Sequence, residues 1–111
     1  MQKVLVFSVD DLAVERKNVA QALNNACNNR SQKYRVRGMC QVDDEVYFVL
    51  LPRRQGESAE DYVFAPADDI SETGMASLLE ERWEAGFDTV GLINLGEDSL
   101  LMFYARPRET G

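Results

Sequence analysis

Residues Met75 to Pro107 read MASLLEERWEAGFDTVGLINLGEDSLLMFYARP, and this stretch decides the fold. Met75, Leu78, Leu79 and Trp83 recur at helical spacing, with Glu80, Glu81 and Glu84 on the opposite side, so the spacing predicts an amphipathic helix whose apolar stripe is buried. Gly86 falls where a helix needs a left-handed residue to stop, and Phe87 supplies the apolar closure of such a cap. The period then changes. Thr89–Leu95 and Leu100–Arg106 are rich in strand formers, and Gly96-Glu97-Asp98-Ser99 turns one into the other as a hairpin.

Upstream, Lys3–Val9 reads as a strand apolar in both directions, fit for an interior position covered on both faces. Asp10 or Asp11 caps a helix running to about Asn28, with Leu12, Val19, Leu23, Ala26 and Cys27 as its stripe. Asn28-Asn29 and Arg30-Ser31 end it. Tyr34–Val42 alternates as a half-buried strand does. Asp43-Asp44 makes a tight turn into Glu45–Leu51, and Pro52 closes that return strand. Arg53–Asp69 reads as a long polar loop in which Tyr62-Val63-Phe64 adds a short strand or packs as a flap. Asp69 and Glu72 have the form of a capping box for the second helix, with Thr73 as the other candidate cap. No internal repeat is evident, and Glu109-Thr110-Gly111 reads as a frayed tail.

The resulting order is β-α-β-β-(β)-α-β-β in a single domain spanning 1–111. The economical arrangement is an α+β two-layer sandwich, ferredoxin-like, with two helices on one face of a mostly antiparallel sheet. Such a sandwich leaves the other sheet face bare. VYFVLL and LLMFYA are apolar in both registers, so the bare face would be large, and a second copy of the chain is its simplest cover. Phe48, Leu50, Met102 and Tyr104 are the expected contacts of that homodimer.

Twelve Lys and Arg against nineteen Asp and Glu give a formal charge of −7. That field repels nucleic acid, and no dense basic cluster overrides it. No apolar run approaches the roughly 20 residues of a membrane helix. The opening MQKVLVFSV is broken at once by two aspartates, unlike a secretory segment, so a cytoplasmic protein is expected. Cys27 and Cys40 read as two buried free thiols of a reducing compartment.

The chain contains no histidine. The commonest general base and most zinc ligands are therefore missing, two cysteines cannot complete a structural zinc site, and no metal, cofactor or catalytic residue is expected. The acids at 43–45 and 68–72 read as a turn and a cap. Gly91 marks a bulge or a close backbone approach within its strand, by a packing neighbour or by a ligand. Lys3 to Arg16 resembles the opening of a response-regulator receiver domain, in which paired acids at a strand end bind Mg²⁺. The later acceptor Asp and Lys of that family have no counterpart here, so Asp10 and Asp11 read as helix caps.

Arg35 and Arg37 share a strand, and Arg53-Arg54 follow the strand paired with it. Hairpin pairing brings the four to one end of the sheet, where they suit the carboxylate or phosphate of an anionic small molecule; the other reading pairs them with the surplus acids or with a subunit contact. Finally, Leu78-Leu79, Gly86-Phe87, Val90 and Leu100–Arg106 resemble small bacterial domains of unknown function that end in a leucine-rich helix, a Gly-aromatic pair and a hairpin. That resemblance implies a fold and no catalytic residues. The function expected is association as a homodimer, with anionic-ligand binding as the alternative.

Overall fold

The computed structural model describes residues 2–29 and 33–108. In chain order the elements are β1 (Lys3–Ser8), α1 (Val9–Val14), α2 (Arg16–Cys27), β2 (Tyr34–Val42), β3 (Glu45–Pro52), β4 (Glu60–Pro66), α3 (Glu72–Glu84), β5 (Asp88–Gly96) and β6 (Ser99–Pro107). Arg30-Ser31 and the terminal Glu109-Thr110-Gly111 lie outside the described residues.

The chain is α+β, but its strands do not form one sheet. They form two antiparallel three-stranded sheets, ordered β1-β3-β2 and β4-β6-β5. Tyr62-Val63-Phe64 belongs to a full strand, β4, whose residues Glu60 to Pro66 pair with Pro107 to Leu101. With β4 beside β6, the second half has a sheet of its own. Each half then follows the same path of strand, helix and hairpin, with its last strand between the other two. The two halves also share a short pattern: Val6-Phe7-Ser8-Val9-Asp10-Asp11-Leu12 is echoed by Val63-Phe64-Ala65-Pro66-Ala67-Asp68-Asp69-Ile70.

The sheets pack on one another through aromatic side chains. The Phe48 ring meets Phe103 edge-on at 5.2 Å between centroids and Phe64 at 6.0 Å, and Phe64 stacks on Phe103 at 4.8 Å. Leu12, Val19, Leu23 and Cys27 bring α1 and α2 into the same buried cluster. These two helices are separated at Glu15, and Ser8 rather than an aspartate caps α1, its Oγ accepting the Asp11 N–H at 3.0 Å. Asp10 and Asp11 occupy the first turn, where acids favour the helix dipole.

α3 lies on the far side of the second sheet. Ser71 caps it, accepting the Gly74 N–H at 3.1 Å, and Asp69 in turn accepts the Ser71 N–H. The stop at Gly86 is as the sequence predicts. Gly86 has φ +89°, its N–H donates to the Trp83 carbonyl, and the Phe87 N–H reaches back to Arg82. The buried stripe is different from the expected one. Met75, Leu78 and Arg82 are half-buried, whereas Leu79 and Trp83 stand in solvent. Arg82 takes the inward position, with its guanidinium over the Tyr104 ring, 5.3 Å from the centroid.

Candidate functional site

Two surfaces carry the residues singled out from the sequence: the basic end of the first sheet and that sheet's solvent face. Pairing of β2 with β3 sets Arg35 opposite Leu51, one residue short of the Pro52 that an uninterrupted hairpin from Asp43-Asp44 predicts. A bulge between Val36 and Gly38 then turns Arg37 outward beside it. Both guanidiniums hold one carboxylate of the chain itself. Arg37 binds both oxygens of Glu57, and Arg35 reaches Glu57 Oε2 at 3.3 Å and the Ser58 carbonyl at 2.9 Å. The Arg54 N–H also donates to Glu57, at 2.6 Å. These hydrogen bonds, that from Arg37 foremost, draw the Glu57 carboxyl down from 4.5 to about 2.

The predicted convergence of four arginines is therefore a convergence of two. Arg54 contributes its backbone amide. Arg53 turns to the other side, where its Nε is buried with no hydrogen-bond partner among the described residues and its charge acts on the Cys27 thiol. Glu57 could not be ranked above the other acids of its polar loop from sequence, because its role follows from how residues 53–59 fold back on β2.

The four side chains expected at a subunit contact lie inside the subunit. Phe48 and Leu50 are fully buried between the two sheets, and Met102 and Tyr104 are buried at 0% and 1% exposure beneath α3. Two stacked sheets, in place of one sheet with a bare side, enclose both strands, and no surface of these residues is left for a partner. The exposed apolar face belongs to the alternate residues of the first sheet. Val4 is 56% exposed, Val6 42% and Val42 50%, and Tyr47, Val49 and Leu51 lie half-buried among them. Arg35 and Arg37 border this face at one end, and Asp43, Asp44 and Glu45 at the other.

Cys27 is buried and its thiol is pushed up to about 11, chiefly by burial, whereas Cys40 is exposed on the same bare face; both are free. Among the described residues no group of three metal-ligating side chains gathers. No helix is long and apolar enough to cross a membrane. A shallow cleft of about 590 Å³ lies between Asp61, Gly86, Arg106 and Arg108, and an apolar groove of about 700 Å³ runs between Leu79, Trp83 and Phe87. Comparison with protein families, curated proteins and solved structures finds no match to the chain.

The sheet edges complete the description. Asn24 of α2 places its carboxamide against β4 as a strand would: its Nδ2 donates to the Tyr62 carbonyl at 3.0 Å, and its Oδ1 accepts the Tyr62 N–H at 2.8 Å. Asn28 adds a bond to the Glu60 carbonyl. Gln41 does the same to β5, donating to the Asn94 carbonyl at 2.7 Å and accepting its N–H at 2.8 Å. The Tyr62 hydroxyl takes the outward Val36 N–H of β2 at 2.8 Å and donates to Glu60 Oε1 at 3.0 Å. Gly91, at a bulge in β5, packs against Met39 of the other sheet.

Proposed function

We propose that the protein works by association, as a homodimer formed through the solvent face of the β1-β3-β2 sheet. The observation that carries this reading is the exposure of Val4, Val6 and Val42 around Tyr47, Val49 and Leu51 on a sheet face over which no described helix lies. An apolar face of this kind is a surface that water disfavours and a partner can cover. Charge supports a second copy as that partner. Two copies facing each other with strands antiparallel bring the Arg35 and Arg37 end of one against the Asp43, Asp44 and Glu45 end of the other, twice over. Glu57 already pairs with both guanidiniums, so the attraction adds to the internal pairs and displaces none of them.

An anionic small molecule at the arginines is the weaker reading, because it would have to displace Glu57 from Arg35 and Arg37.

The test is light scattering after size exclusion on the full chain, on Val49→Lys and on Tyr47→Lys. Both positions are on the solvent face, so the variants are expected to keep the parent's circular dichroism and fall to half the parent mass. Retention of the parent mass by both variants removes the face from the contact.

A further inference from the structure

We infer that β1 is an open strand edge that pairs antiparallel with β1 of a second copy, and this rests on the reading above that the chain associates with itself. Sheet edges expose unpaired backbone groups, and folded proteins guard them with bulges, prolines, charges or covering side chains. Three of the four edges here are guarded. On β4 the guards are Asn24, Asn28 and the terminal Pro66. On β5 they are Gln41 and two irregularities of register. On β2 they are a bulge and the Tyr62 hydroxyl.

Among the described residues β1 has none of these. Its six residues pair with Leu50 to Glu45 of β3 without a register shift. Its one cationic side chain, Lys3, sits over the Tyr34 ring at 4.8 Å instead of standing across the edge.

The direction of the open groups follows from the ladder. The Val9 N–H donates to the Asp44 carbonyl, so residues in step with Val9, namely Leu5 and Phe7, turn their backbone groups toward β3. Val4, Val6 and Ser8 turn theirs outward. Among the described residues, no hydrogen bond is made to the backbone of Val4 or Val6 from that side. The same two residues carry exposed side chains.

Antiparallel pairing centred on Leu5 sets Val4 opposite the partner subunit's Val6, exchanging both backbone bonds, with valine against valine on the solvent face. Edge pairing runs in the plane of the sheet and face packing across it. The two contacts are therefore compatible, as in a dihedral tetramer.

The test combines residue-resolved amide exchange on the full chain with native mass spectrometry of Val6→Pro. Proline removes an outward N–H and spares the bonds to β3, whereas Leu5→Pro, which removes a bond to β3, is expected to unfold the subunit. The expected result is protection of the Val4 and Val6 amides at least tenfold beyond that of exposed loop amides, and a halved assembly mass for Val6→Pro. Unprotected amides at both positions overturn the edge proposal even where Val6→Pro fails to fold, and so does a folded Val6→Pro that keeps the parent mass. Those outcomes leave the face contact standing, since it fails on Val49→Lys and Tyr47→Lys instead.

Discussion

Replacing Asn24 by alanine removes both bonds by which α2 closes the edge of β4. Its side chain donates to the Tyr62 carbonyl at 3.0 Å and accepts the Tyr62 N–H at 2.8 Å, in a half-buried setting. Each bond is worth about 1 kcal/mol net, and a backbone group left without a partner costs about 1–3 kcal/mol where water cannot reach it. Water can reach this edge in part, so the expected loss is about 2–3 kcal/mol. In a domain of this size that lowers the melting temperature by roughly 10 °C. Alanine is also the better helix former, by about 0.5 kcal/mol, which would mask part of the loss. Asn25→Ala, one residue along and exposed, carries the same propensity gain without the bonds and serves as the reference. Urea unfolding followed by circular dichroism gives both midpoints. If Asn24→Ala lies within about 0.5 kcal/mol of Asn25→Ala, the Asn24 carboxamide is not a stabilising part of the fold.

Three further outcomes are expected. The Glu57 carboxyl titrates at 4.5 when free and at about 2 in the fold, so the unfolded chain takes up its proton first; the stability that Glu57 contributes is complete above pH 4.5 and is lost as pH falls through about 2. Urea midpoints measured between pH 5 and 2 should therefore fall less steeply in Glu57→Gln than in the parent, and equal slopes would contradict the assigned pairing. Phe103→Ala removes a fully buried ring stacked between Tyr62 and Phe64 and should cost about 3–5 kcal/mol, read in the same assay. Gly86→Ala meets no atom within 4 Å but must hold φ at +89°, so a loss of about 1–2 kcal/mol in thermal unfolding is expected from the backbone alone.

Local punctuation was readable in the sequence, and long-range pairing was not. The Gly86 stop, the turn at Asp43-Asp44 and the pairing of the two hairpins follow from neighbouring residues, whereas the bulges that shift their registers do not. The partner of β4 does not, because Val63 and Phe64 pair with Tyr104 and Phe103 some forty residues away. That single pairing turns one sheet into two, and it explains why Phe48 and Met102 are buried in the subunit. The helix stripe misled for a similar reason. Leu79 and Trp83 fit an apolar face by spacing, but the face turned inward carries Met75, Leu78 and Arg82, the last lying over Tyr104. The site followed the same division. Arg35 and Arg37 were identifiable as neighbours, whereas their occupant came from a loop whose return path no periodicity records. The short V-F-x-(x)-x-D-D pattern shared by the two halves differs in length between them and is too brief to set the pairing of β4 by itself.

Trp83 is the only tryptophan of the chain, and it is 68% exposed on α3. Its indole is wetted before unfolding begins, so intrinsic fluorescence will change little as the aromatic core comes apart. A flat emission trace during denaturation would therefore be a property of the dye's position and not a sign of a molten interior. The same placement makes the indole a natural probe of its own surroundings. A blue shift on adding a protein, peptide or vesicle would report that the α3 groove beside Leu79 and Phe87 had been covered, without any label being introduced.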